Sequence, residues 1–449
     1  MQKTSVLYPS TNFKHLEKFV VSHGKGVYLY DIEGKEYLEA MSGLWCLSLG
    51  YGNEELTEAA NAQMRKLSYS NPFGGKSHTG MIELANQLAE MLPIPEAKIF
   101  FGLSGSDAND THIKILRYYA NVTGQSKKKK ILAGSKAYHG VGVGSVALTG
   151  LAGNHTHFDV PFESIGVVRF PTPHYYRMGQ QGESVIAFEQ RMANELEALI
   201  VKEDPETIMA YISEPLIGAG GVVLPGKHYF AEVQKILKKH NILFIDDEVI
   251  TGFGRTGEDF GATTFGLRPD CMTLAKALTS GYQPLSAAVI PNFIYEAMIE
   301  ASDQVGVFGH GFTYSGHPVS CAVALAALKI YKRDQLFNRA KKIGELIQKK
   351  LAKFEDHALV GEVRGIGMIG ALELVANKKT KADFPKEVKI GLLAQQHCQE
   401  EGLIVRGVAG NSVAICPPLI MSEPEIELLF DRLSKGLDKT LHAVKQYMQ

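Results

Sequence analysis

Between positions 27 and 40 apolar and polar residues alternate on either side of Glu33-Gly34, a pattern that predicts a β-hairpin. Positions 53–67 and 78–91 instead repeat their apolar residues at helical spacing, and Ser70-Asn71-Pro72 breaks the chain between them. From Lys98 onward, short apolar runs alternate with helical stretches. Strands are expected over 98–103, 130–133, 208–213, 242–245, 271–274 and 286–290, and helices over 107–121, 186–201 and 227–240. Such alternation specifies an α/β domain with a largely parallel sheet. A long helix beginning near Pro318 closes this region. Beyond it, strands expected over 359–374, 403–406 and 412–416 lie between helices over 386–401 and 423–447, forming a smaller α+β unit to which the N-terminal hairpin is assigned. The expected division is an N-terminal segment 1–60 joining the small domain, a large domain 61–325 and a C-terminal small domain 326–449.

Composition narrows the class. The chain has 449 residues, 45% hydrophobic and 21% charged, too apolar for disorder and long enough to fold without disulfide or metal staples. Forty-seven basic against 48 acidic residues leave a net charge of -1, which favours neither nucleic acid nor an anionic membrane. The run Lys127 to Lys130 reads as a solvated loop between a helix and a strand. Cys46, Cys271, Cys321, Cys398 and Cys416 are widely spaced, with no C-x-x-C pair, and read as small core residues in a reducing compartment. The N-terminus has no signal-peptide pattern. The two stretches free of acidic, lysine and arginine residues, 137–158 and 304–328, are too rich in polar residues and glycine to span a bilayer. A cytoplasmic protein is expected.

Glycine is in excess, at 45 residues. Three segments match or approach G-x-G-x-x-G: 252–257, 365–370 and 142–147. A dinucleotide site needs this motif directly between a strand and a helix, and none of the three complies. No P-loop sequence is present either. A better phosphate candidate is Phe100-Phe-Gly-Leu-Ser-Gly-Ser106, where a predicted strand meets a predicted helix and backbone N–H groups can converge on an anion. A serine N-cap on a structural helix would look the same.

Lys276 is the only charged residue between Cys271 and Tyr295. In apolar surroundings its amine loses charge and can attack a carbonyl, whereas a snorkelling lysine would keep its head in water. Asp246-Asp247-Glu248 follows a buried predicted strand, the end at which open α/β sheets bind ligands. One of these acids can pair with a cationic ring nitrogen. No acid or histidine cluster has metal-ligand spacing, so no metal is expected.

A phosphate turn, an acid at a strand end and a buried lysine, in that order, are the parts of a pyridoxal-phosphate enzyme. Leu243-Phe-Ile-Asp-Asp-Glu-Val-Ile-Thr-Gly-Phe-Gly-Arg-Thr-Gly257, followed by Asp270-Cys-Met-Thr-Leu-Ala-Lys-Ala-Leu-Thr-Ser-Gly281, resembles the class III aminotransferases, especially the ω-transaminases that use pyruvate. The resemblance covers nearly the whole chain. It implies PLP fold type I, with a large domain around a mostly parallel mixed sheet and a smaller α+β domain built from both termini.

By position, Lys276 looks like the Schiff-base lysine and Asp247 like the partner of the pyridine nitrogen. Gly105 and Ser106 resemble the phosphate-binding pair, while Tyr138 and Val249 resemble the residues on the two ring faces. Thr313 matches a threonine that reaches the phosphate of the neighbouring subunit, which implies a homodimer with shared active sites, alone or paired into a tetramer. Trp45, with Phe73 and Phe312, stands where the family places a pocket wall. Arg406 matches a mobile arginine for the acceptor carboxylate. Ala219 stands where ornithine- and 4-aminobutyrate-type relatives have a glutamate. The implied reaction is ping-pong amino transfer from an ω-amino acid, diamine or other amine to pyruvate; the alternative is a class III aminomutase, decarboxylase or racemase. One departure is Asp107, where the family usually has glutamate.

Overall fold

A computed structural model describes residues 5–15 and 18–448. Its centre is a seven-stranded sheet in the order Lys98–Gly102, Ser286–Ile290, Cys271–Leu274, Leu243–Asp247, Ile208–Ser213, Lys130–Gly134, Val167–Phe170. Only Ser286–Ile290 runs opposite to the other six strands, so the sheet is mixed and mostly parallel, as expected. Every residue of Ile208–Ser213, Cys271–Leu274 and Ser286–Ile290 is buried, which is why these strands read as unbroken apolar runs. Side chains alternate between two cores. Ile131, Ala133, Ile212 and Ile245 pack with Ile113 and Leu116 of helix Gly105–Val122, and Leu132, Tyr211, Phe244 and Met272 enter the larger core on the other face.

Most predicted elements lie within a residue or two of those observed, and the exceptions have physical causes. The central strand continues through Asp246 and Asp247 because Ser213, Met272 and Thr273 on the flanking strands extend the ladder on both sides. The lysine run does link a helix to a strand, but only Lys127 is exposed: Lys128 is 6% exposed with its ammonium on the Asn241 carbonyl, and Lys130 begins a strand and pairs with Glu203 at 2.9 Å. The long helix expected after Pro318 is two, Pro318–Arg333 and Leu336–Ala352, separated at Gln335 with φ +49°. The run over 359–374 is a hairpin, Val360–Ile366 and Ile369–Leu374.

The termini meet. Leu403–Ile404 adds in parallel to Glu36–Glu39, the last strand of the N-terminal meander Val21–Lys25, Tyr28–Asp31, Glu36–Glu39. The next strand, Arg406–Val408, belongs to a different sheet with Ser412–Ile415 and the 360–374 hairpin. Among the described residues no helix is long and apolar enough to cross a membrane.

The three glycine motifs are used as turns and joints. Arg255, in the first, is 2% exposed and donates to the carbonyls of Met368 and Pro417 and to Ser42 Oγ, tying the large sheet to both terminal regions. Gly367, in the second, turns the hairpin at φ +54° with the Arg255 and Thr256 backbone where a Cβ would be, 2.5 to 2.7 Å away. Gly266 has a similar φ of +70° but open space around it. Gly266→Ala should therefore cost only the left-handed penalty of about 1 kcal/mol, and Gly367→Ala at least twice that, read as the difference in thermal unfolding midpoints. Equal shifts would show that backbone strain alone, not crowding, demands glycine at 367.

Candidate active site

A cavity of about 350 Å³ opens at the carboxyl ends of the central strands. At one end the strand Lys98–Gly102 passes through Leu103 and Ser104 into helix Gly105–Val122. Ser104 Oγ accepts the Asp107 N–H, and the Asp107 carboxylate accepts the N–H groups of Leu103 and Ser104, so the shorter acid completes a capping box. The serine caps the helix, and the N–H groups of Gly105 and Ser106, which have no intrahelical acceptor, border the cavity. A Cβ at Gly105 would come within 2.9 Å of Val249, so glycine permits the close approach of that side chain.

Asp247 is the acid that faces the cavity, because alternation along its strand puts it on the side of Ile245 while Asp246 and Glu248 point the other way. It is 3% exposed. His139 Nδ1 donates to its Oδ2 at 2.8 Å, Asn109 Nδ2 to the same oxygen at 2.9 Å, and the Val249 N–H to Oδ1 at 3.2 Å. Burial alone would raise this carboxyl; the His139 bond and charge, then the Asn109 and Val249 bonds, outweigh it and hold Asp247 below its ordinary value. Asn109 is itself fixed, donating also to the His139 carbonyl and accepting from Thr273 Oγ1 at 2.7 Å.

Lys276 follows the strand Cys271–Leu274 and occupies the left-handed region at φ +49°. Its amine has no hydrogen-bond or ion-pair partner among the described residues. Burial lowers it from the ordinary lysine value, opposed by the charge of Asp247. Tyr138 is half-buried on the loop after Lys130–Gly134, and burial raises its hydroxyl. Glu214, at the end of Ile208–Ser213, also lines the cavity.

The structure thus gathers Gly105, Ser106, Tyr138, Asp247, Val249 and Lys276 around one cavity. Other expected residues lie elsewhere in the single chain. Trp45 is 2% exposed, packed in the large core at φ +64°, and its neighbour Leu44 meets the cavity instead. Phe73, Phe312 and Thr313 share an outlying segment: the Phe73 ring lies against Gly311, Tyr69 Oη donates to the Thr313 carbonyl at 3.1 Å, and Phe312 packs edge-on against Phe100. Arg406 is half-buried, near enough to Tyr138 for each to influence the other's charge, and no carboxylate or hydrogen-bond acceptor holds its guanidinium among the described residues. Ala219 lies at the tip of the turn that follows Glu214.

Asn109, His139 and Glu214 were not singled out from sequence. Glu214 follows a buried strand just as Asp247 ends one, so the same strand-end rule would have found it. His139 lies beside Tyr138, but nothing local marks it, or Asn109, as a partner of a residue more than a hundred positions away.

The donor set suits pyridoxal phosphate: free helix N-terminal N–H groups for the phosphate, an ionised carboxylate for the ring nitrogen, and an unpartnered amine for the aldehyde carbon. Asn109→Leu removes one charge-assisted bond to Asp247 and should cost about 1.5–3 kcal/mol at pH 7. Because a lowered carboxyl contributes stability only above its unfolded-state value, that difference should shrink as pH falls below about 4. Urea unfolding at both pH values checks this; a pH-independent cost would mean that Asn109 acts through packing alone.

Comparison with known proteins gives the same assignment. The model of aminotransferase class-III matches residues 10–437. Gamma aminobutyrate transaminase 3, chloroplastic, of Solanum lycopersicum is 43% identical over 432 residues, covering 96% of this chain and 82% of that protein. The omega transaminase from Pseudomonas jessenii in complex with PMP, the aminated cofactor, superposes with a TM-score of 0.95 at 45% identity, over 98% of this chain and 97% of that one. A thermostable omega transaminase variant with a tryptophan, a phenylalanine and an arginine replaced, engineered for asymmetric synthesis of enantiopure bulky amines, gives a TM-score of 0.95 at 44% identity over 98% of each chain. With its cavity, its fold and its whole-length similarity in agreement, this chain belongs to the class III aminotransferases, which depend on pyridoxal phosphate.

Proposed function

We propose that the protein transfers an amino group from an ω-amino acid, a diamine or another amine to pyruvate by a ping-pong mechanism. The observation that carries this reading is the half-buried, unpaired Arg406 guanidinium beside Tyr138, with alanine rather than an acid at position 219. A guanidinium without a resident carboxylate is free to take one from an acceptor keto acid in two-pronged fashion, and to withdraw when the donor has none. The engineered relative lends support: its replaced tryptophan and phenylalanine are separated along the chain as Trp45 and Phe73 are here.

Bound pyridoxal phosphate supplies an electron-accepting ring that eases removal of the donor's Cα proton. In this reading the chain does the rest. Gly105 and Ser106 hold the phosphate end on their N–H groups, joined by Thr313 of a second subunit, so the active unit is a homodimer, alone or paired into a tetramer. Asp247, held ionised, would keep the ring nitrogen protonated, and Tyr138 and Val249 would flank the ring. Lys276 Nζ, whose pKa burial lowers, would serve as the base that accepts the donor's Cα proton and carries it to the cofactor side of the cavity. Leu44, on the turn that buries Trp45, bounds the donor side together with Phe73 and Phe312, the last two at the subunit contact. The free thiols suit a reducing compartment, and we place the enzyme in the cytoplasm.

Lys276→Ala should abolish the imine absorbance near the visible edge, and amines added to wild type should bleach it. A panel of β-alanine, diamines, arylalkyl amines, 4-aminobutyrate and α-amino acids, each with pyruvate, reads the donor class; turnover only with α-amino acids or 4-aminobutyrate would sink the donor assignment. Arg406→Leu should raise KM for pyruvate roughly 30-fold or more, as expected for a lost charge-assisted pair of about 2–3 kcal/mol. An aldehyde acceptor lacking a carboxylate should show no such change.

A further inference from the structure

Glu214 is a second acid in the cavity, 3% exposed, to which the reaction assigns no task. No basic side chain pairs with it among the described residues. Its Oε1 accepts the Tyr138 N–H at 3.0 Å and its Oε2 the Gly218 N–H at 2.9 Å. The first bond anchors the loop that presents Tyr138. The second anchors the turn that presents Ala219, and this turn is tightly closed. Ile217 and Val223 exchange backbone bonds at 2.9 and 3.0 Å, and the Val222 N–H reaches the Gly218 carbonyl at 2.9 Å with Val222 at φ +56°. A Cβ at Gly218 would lie 3.4 Å from Glu214 Oε2 and 2.5 Å from Ile250 Cδ1, so a larger residue there would first have to displace the Ile250 methyl. On its far side Arg364 donates through Nε and Nη2 to the Gly221 carbonyl at 2.8 and 2.6 Å. The tip bearing Ala219 is thereby held between a carboxylate that accepts and a guanidinium that donates.

We infer that Glu214 is a positioning residue whose two carboxylate oxygens lock the Tyr138 loop and the Ala219 turn to each other, so that the ring face and the substrate wall keep one geometry. This rests on the reading of Tyr138 and Ala219 given above. A carboxylate is required because both partners are N–H donors. Glutamine offers one acceptor and sets an NH2 donor against the other N–H, and a protonated carboxyl keeps one strong acceptor and only a weak one at its hydroxyl oxygen. Burial, with the charge of Asp247, raises Glu214 to about 7, opposed by His139 and by its two backbone bonds; Lys276 is the other charged group that senses it. The lock is complete above neutrality and half-made below it.

Hydrogen exchange over segments 136–141 and 215–222, corrected for intrinsic rates, tests the inference in both apoprotein and holoenzyme. At pH 8, Glu214→Gln should speed exchange about tenfold in at least one of the two segments, weaken the visible circular dichroism of the bound cofactor and raise KM for the amine more than it lowers kcat. Wild type alone should lose protection in the same segments as pH falls through about 7, which decides the matter even if the variant does not fold. Unchanged exchange in the variant, or no break in wild type, overturns the inference while the imine band stays intact. Retention of that band by Lys276→Ala would instead defeat the functional reading and leave these exchange rates untouched.

Discussion

Keeping one carboxylate ionised in the middle of a dry sheet is the constraint around which this molecule is arranged. An unpaired buried charge costs several kcal/mol, and Asp247 avoids that cost only because donors arrive from three directions. Asn109 comes from the helix behind the sheet, His139 from the loop after a non-adjacent strand, and the Val249 N–H from its own chain. Thr273, one strand over, fixes Asn109 in turn. The two neighbouring acids lie on the opposite face under different conditions. Glu248 accepts the N–H groups of Gly261 and Ala262 yet is raised by burial, and Asp246, with no N–H or O–H donor on either oxygen among the described residues, is raised further by burial and by the Glu248 charge. Of three consecutive acids, the fold holds charge firmly on the one that faces the cavity.

The layout of the large sheet was legible in the sequence because its inner strands are covered on both faces and leave uninterrupted apolar runs. Lys276 and Asp247 were legible because polar residues at the ends of such runs have few structural excuses. Asn109 and His139 were not, since a polar residue inside a helix and a histidine in a glycine-rich loop gain meaning only from the distant strand they meet. Trp45 shows a different limit. Position suggested a pocket wall, whereas the turn at Ser42 to Trp45, with left-handed backbone at Ser42, Gly43 and Trp45, directs the indole into the core.

Glycine-rich segments drew attention as possible nucleotide loops and turned out to serve joints. The 252–257 loop carries Arg255, a buried cation satisfied by two carbonyls and a hydroxyl rather than by an acid. Carbonyl partners spare the interior a second buried charge, and because they come from 368 and 417, the loop fastens the C-terminal region to the large domain. Gly367 allows the hairpin to approach that fastening.

The division of the C-terminal strands between two sheets has a further bearing on how acceptor choice can evolve. Leu403–Ile404 is bound to the N-terminal meander and Arg406–Val408 to its own antiparallel sheet, so Val405 is the single-residue joint between two sheets that share one core. The first residue beyond that joint is Arg406. Its placement is therefore set by how two sheets meet as well as by the cavity wall, and if Arg406 takes the acceptor carboxylate as proposed, substitutions away from the cavity can alter its reach while leaving every residue around Lys276 and Asp247 unchanged.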